Sequence, residues 1–239
     1  MLLLTQAFAA TWSVPADGTL AEVSQLLSDG DVIDLTEDTT GCLDAGRSVL
    51  LKGLVTLTAD GCENLLVVND GETLQVIGLT LVNPQGRVAG VWSSNLILEA
   101  TTVQGAGGAL QGGAVYLYGG SLVVRDANFL DNEGTDGGAI AAVWVDSVLI
   151  ERSTFVNNAA TASGGGLFTY AVQGPVDVVD SVFRDNRAQD GGAIHSQWYH
   201  QLSVQDSELT DNRALGYGGA IVSWYQGDLE VLDSELTDN

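Results

Sequence analysis

Basic residues are scarce in this 239-residue chain: Lys52 is the only lysine, and 8 basic residues face 31 acidic ones, for a formal net charge of −23. A field of that sign repels nucleic acid and anionic lipid, so neither is an expected partner. It favours solubility and attracts cations. Charged residues of both signs make up only 16% of the chain, below the ~25% usual for globular proteins. Apolar runs are short, and none approaches the ~18 residues that suggest a membrane-spanning helix. Histidine occurs twice, as His195 and His200 in the stretch AIHSQWYH. No cysteine or third histidine joins them, which argues against a zinc site. Nothing like G-x-S-x-G marks a catalytic serine. Cysteine also occurs only twice, as Cys42 and Cys62.

What the chain has in quantity is glycine, 30 residues, and a repeat. Asn132, Asn158, Asn186, Asn212 and Asn239 end the tetrapeptides FLDN, FVNN, FRDN, LTDN and LTDN, at steps of 26, 28, 26 and 27. Gly-Gly motifs interleave with them: GGAV at 112–115, GGAI at 137–140, GGGL at 164–167, GGAI at 191–194 and GGAI at 218–221. An apolar column aligns Leu74, Leu96, Leu122, Val148, Val176, Leu202 and Leu229, each with an apolar partner two residues on. Spacing of two puts both side chains on one face of a strand. Val55 and Leu57 lie 19 residues before Leu74 and Val76, which predicts shorter N-terminal coils.

Short, β-branched, two-periodic runs separated by turn residues predict strands rather than helices. The expected fold is all-β: a right-handed parallel β-helix with coils of about 26 residues stacked ~4.8 Å apart. The asparagine column then becomes an amide ladder, and the glycine pairs suit turns needing positive φ or close backbone approach. Residues 19–28 carry Leu20, Val23, Leu26 and Leu27 at helical spacing, predicting a short capping helix. Residues 1–10, MLLLTQAFAA, are expected to be an export signal, because an apolar start is followed by small-x-small residues. Residues 11–239 then form a single β-helix domain. The chain stops at the last residue of a repeat tetrapeptide, which leads to the expectation that the natural protein continues. Cys42 and Cys62 lie about one N-terminal coil apart, and stacked coils bring such positions within disulfide reach.

The alternation of GGA[I/V/L] with FxxN over residues 112–239 resembles the repeat signature of chlamydial polymorphic outer-membrane proteins. GGGL at 164–167, and Leu209 and Leu236 in place of Phe, depart from it conservatively. Residues 19–103 resemble only the generic pectate-lyase-like β-helix. The first resemblance implies an autotransporter-like adhesin with a β-helical passenger, secreted or held at the bacterial outer membrane.

Fold relatives include polysaccharide lyases and hydrolases, so catalysis needs a test. A polygalacturonase-like site needs Asp-Asp, Gly-His-Gly and Arg-x-Lys segments, and all three are missing. Asp126, Asp180, Asp206 and Asp233 share one repeat position, and Asp131, Asp185, Asp211 and Asp238 another. A residue recurring in every coil serves the coil, although calcium binding or paired-carboxylate hydrolysis stays open. No other cofactor or metal is expected. Trp92, Tyr118, Trp144, Tyr170, Trp198 and Trp224 recur at steps of 26, 26, 26, 28 and 26, predicting one side-chain stack along the solenoid. Facing outward, it offers flat apolar surface to sugar rings or a protein receptor. Facing inward, it is core. Trp144, Tyr170, Trp198 and Trp224 are the candidate ligand-binding residues. The expected function is a non-enzymatic, adhesin-like surface protein. A β-helix polysaccharide lyase or glycoside hydrolase is one alternative, and a structural spacer is another.

Overall fold

The computed structural model describes residues 9–239 apart from Asp17 and residues 109–110, 199–200 and 226–227. Most of the expected export signal, and His200, therefore lie outside the described residues. The chain forms a parallel β-solenoid. One coil shows the path. Strand Ser121–Arg125 lies in a ten-stranded sheet, and Asn128–Leu130 in a nine-stranded sheet. Glu133–Asp136 then enters a four-stranded sheet, and Ile140–Val143 an eight-stranded sheet. The next strand, Ser147–Glu151, returns to pair in parallel with the first. Each sheet thus runs along the solenoid, and the hydrogen bonds between coils lie along its axis.

The apolar column fills the interior. Leu96, Leu122, Val148, Val176 and Leu202 stack in register and are buried. At the N-terminal end the register differs from the expectation. Leu74 and Val76 stack on Val49 and Leu51, while Leu57 pairs with Leu81 in the nine-stranded sheet. Both apolar pairs are two-periodic, and only pairing across coils distinguishes them. The steps are therefore 18, 25 and 22 before settling at 26.

Three ladders hold the coils in register. In the first, the side chain of each of Asn132, Asn158, Asn186 and Asn212 accepts from the coil before it and donates both back to that coil and on to the coil after it. Asn186 Oδ1 accepts from the Asn158 backbone N–H and Nδ2 at 3.0 Å each, while Asn186 Nδ2 donates to Asn212 Oδ1 at 3.0 Å and Phe155 O at 2.9 Å. In the second, Ser153, Ser181, Ser207 and Ser234 Oγ each accept a backbone N–H of the preceding coil and donate to a carbonyl two residues back. This serine ladder was not anticipated from the sequence. The third is aromatic: Phe129, Phe155 and Phe183 stack face to face inside the core, with centroids 4.7 and 4.4 Å apart.

Both aspartate columns occupy left-handed turn positions. Asp126, Asp180, Asp206 and Asp233 have φ of 47–51°, and Asp131, Asp185, Asp211 and Asp238 have φ of 53–57°. Asp and Asn tolerate that region better than other non-glycine residues. The glycine pairs divide the two uses of glycine. Gly137, Gly164, Gly191 and Gly218 have positive φ. Their successors pass too close to the next coil for a Cβ: one added at Gly165 would lie 2.2 Å from Gly192 O.

The helix is shorter than expected, Leu20–Ser24, with a Thr19–Glu22 capping box. Leu20 and Val23 join the core cluster. Leu26 is 58% exposed, because the backbone tightens into i→i+3 bonds at Gln25 and Leu26 and rotates it away from the core. Cys42 and Cys62 are joined by a disulfide, with Cα atoms 6.4 Å apart. Cys62 stands three residues short of the position that the Leu43–Leu66 register would pair with Cys42.

Candidate functional site

The eight-stranded sheet alternates core and outward residues. Ile140, Leu167 and Ile194 point into the core. Two residues per strand therefore face out. One outward row is Tyr116, Ala141, Phe168, His195 and Val222, and the other is Tyr118, Val143, Tyr170, Gln197 and Trp224. Immediately before the glycine turns runs a third row, Gln111, Asp136, Ser163, Asp190 and Tyr217, linked by bonds from the following glycines. Together these rows make a groove along the solenoid.

The predicted aromatic stack is really two columns. Trp92, Tyr118, Tyr170 and Trp224 sit on strands. Trp144 and Trp198 come one residue later, just past the strand ends, with φ of 54° and 74°. They line up with Gly119, Ala171 and Tyr225 at the turn. Rings from the two columns interleave: Trp144 to Tyr170 is 5.9 Å, Tyr170 to Trp198 is 6.2 Å, and Trp198 stacks on Tyr225 at 4.9 Å. Trp224 meets His195 at 5.0 Å and Tyr217 at 5.8 Å. Trp144 is 50% exposed, and Tyr170, Trp198 and Trp224 are half-buried. The aromatic surface therefore faces outward, while the core stack is made by the phenylalanines.

Two cavities meet at Tyr170. One, of about 630 Å³, is lined by Trp144, Tyr170, Ala171, Val172, Gln173 and Trp198. The other, of about 330 Å³, is lined by polar Gln111, Asp136, Ser163 and Gln197 with Val143, Phe168 and Tyr170. Gln111 Nε2 donates to Asp136 Oδ2 at 3.1 Å. Among the described residues, the lining of both contains one carboxylate, Asp136, and no arginine or lysine. A third cavity, of about 620 Å³, lies on the four-stranded sheet around Glu133, Ala160, Arg187 and Arg213. Arg187 and Arg213 are direct neighbours across coils.

His195 is 1% exposed at the floor of the groove. Burial holds its imidazole below the ordinary 6.5, outweighing the Asp190 backbone and the Asp190 and Asp136 carboxylates, which favour the protonated form. Asp126 is engaged by Arg152 at 2.9 Å, which holds its carboxyl below the usual range. Among the described residues, no group of three or more His, Cys, Asp or Glu side chains is placed to share a metal ion. Nor is any described helix long and apolar enough to cross a membrane.

A glycine turn and an asparagine tetrapeptide meet in one stretch that matches a family model. Residues 180–197 match the Chlamydia polymorphic membrane protein repeat. That stretch carries Asn186 of the amide ladder, the Gly191–Gly192 turn, His195 and Gln197. The chain is also similar to metabotropic glutamate receptor-like protein P of Dictyostelium discoideum, 28% identical over 98 residues. The aligned region is 41% of this chain and 7% of that protein. The chain therefore spans only a small part of that relative's length.

Proposed function

We propose that this chain is the β-helical, ligand-binding part of an adhesin-like protein, secreted or held at the cell surface. The observation that carries the reading is the outward aromatic cleft at Trp144, Tyr170 and Trp198, spanning three coils. Trp144 and Trp198 step one position past the strand register, and Trp144 is 50% exposed with Tyr170 and Trp198 half-buried beside it, a setting in which large rings supply binding energy to a partner. The polymorphic membrane protein repeat supports a surface location. The alternative of hydrolysis is less well supported, since both repeated aspartate columns are turn-forming residues. A pure spacer leaves the exposed Trp144 without a role.

The test uses the labelled chain on intact cells of several types, alongside the double variant Trp144→Gly/Trp198→Gly. Both positions have positive φ, so glycine relieves strain there and the fold is retained. The reading expects saturable binding that the double variant loses at least tenfold. Binding that survives in the folded variant, or no binding to any cell type, would overturn it.

A further inference from the structure

We infer that the cleft recognises a neutral oligosaccharide lying along the solenoid axis; this rests on the reading that the cleft is the ligand site, and it names the ligand class. Three features point to a sugar chain. The first is ring spacing. Trp144, Tyr170 and Trp198 come from successive coils and sit 5.9 and 6.2 Å apart. Linked pyranose rings advance by a similar distance, comparable to the coil spacing of ~4.8 Å. Neighbouring ring planes are turned 69° and 56° from one another, so successive sugars meet the rings at alternating tilts, with their apolar C–H faces against the aromatic surface.

The second feature is what lies beside the rings. Across Tyr170 the smaller cavity presents Gln111, Asp136, Ser163 and Gln197. The amides and the hydroxyl donate to and accept from sugar hydroxyls, the carboxylate accepts from them, and their close grouping gives direction to a ligand that apolar contact alone would not orient. A purely hydrophobic peptide anchor would leave these groups unmatched, at a cost.

The third is charge. The chain carries −23, and among the described residues the two cavities are lined by Asp136 and no arginine or lysine. Uronic-acid or sulfated chains would meet repulsion there. The basic pair that could take an anion, Arg187 and Arg213, lines a different cavity, on the four-stranded sheet.

The experiment measures binding of the full chain to immobilised neutral glucans, mannan and galactan, with polygalacturonate and heparin as anionic comparators. Four proteins are compared: the parent, Trp144→Gly/Trp198→Gly, Asp136→Ala/Gln197→Ala, and Arg187→Ala/Arg213→Ala. The expected result is binding to at least one neutral glycan. The tryptophan variant should lose it tenfold or more, the polar variant severalfold, and the arginine variant should keep it. Binding only to the anionic glycans, or abolished by the arginine variant alone, overturns the inference. So does absence of binding to the whole panel. If cell binding still depends on Trp144 and Trp198 while the panel is silent, or survives periodate oxidation of the cell-surface sugars, the cleft remains the ligand site and its ligand is not a glycan. Loss of dependence on Trp144 and Trp198 in both assays removes the ligand site itself.

Discussion

Replacing Asn186 by alanine cuts the amide ladder at its middle. Asn186 is fully buried, and its side chain makes four hydrogen bonds: two accepted from Asn158, and one donated to each of Phe155 O and Asn212 Oδ1. Some partners keep a second bond. Asn158 Nδ2 still donates to Phe129 O, and Asn212 Oδ1 still accepts the Asn186 backbone N–H. The Asn158 backbone N–H loses its acceptor inside the core. About 1 kcal/mol for each of the other three bonds, and about 1–3 for the stranded buried donor, give a loss of roughly 4–6 kcal/mol. Gln111 is exposed and its side chain donates one hydrogen bond, to Asp136, so Gln111→Ala should cost no more than about 1 kcal/mol, because water can replace the lost partner. Asn186→Asp keeps the acceptor but turns a negative oxygen toward Phe155 O and Asn212 Oδ1, and should cost at least as much as alanine. Urea unfolding midpoints measure all three, and amide exchange at Asn158 reads the break locally. An Asn186→Ala loss no larger than that of Gln111→Ala, with Asn158 exchange unchanged, would refute the ladder as a source of stability.

Other perturbations separate packing, turn and charge effects. Phe155→Ala removes the central ring of the core stack and should cost about 3–5 kcal/mol by urea unfolding. Phe155→Leu should cost far less, since Leu209 already fills that column above Phe183. Asp185, with φ of 56°, should accept glycine with little change, while Asp185→Val should cost about 1–2 kcal/mol. His195 has a folded pKa below its unfolded value of 6.5. As pH falls through 6.5 the unfolded chain takes up a proton that the folded chain does not, so stability drops until pH reaches the folded pKa. His195→Phe, copying Phe168 one coil earlier, should remove that component. A parent-minus-variant stability difference that stays flat between pH 7 and the lower limit would contradict the burial argument.

The fold was legible because its columns repeat with little variation. Leu96, Leu122 and Val148 differ by one coil each, and any reading that buries one buries all. The same logic failed where two candidate pairs compete: Val49/Leu51 and Val55/Leu57 carry the same pattern, and inter-coil hydrogen bonding selects the first. The serine ladder left a trace in the repeated Asp-Ser at 180–181, 206–207 and 233–234. Ala127 and Arg152-Ser153 interrupt the motif, so it did not register as a column. The aromatic columns were merged because a strand end and the turn residue after it differ by one position, and that position decides whether a ring sits on the strand or past its end. The groove was not legible at all, since the residues before each glycine pair meet Tyr170 and Gln197 only after the turn folds back over the sheet.

The five tryptophan indole N–H resonances test the cleft as the binding face most directly. A neutral oligosaccharide from the panel is titrated into the chain and the shifts are followed by NMR. Trp12, whose indole donates to Asp31 at 3.0 Å near the N-terminal end, should stay in place, while Trp144 and Trp198 shift together and saturate at one affinity. Saturable binding that moves Trp12 or leaves Trp144 and Trp198 unmoved would contradict the assignment of the cleft.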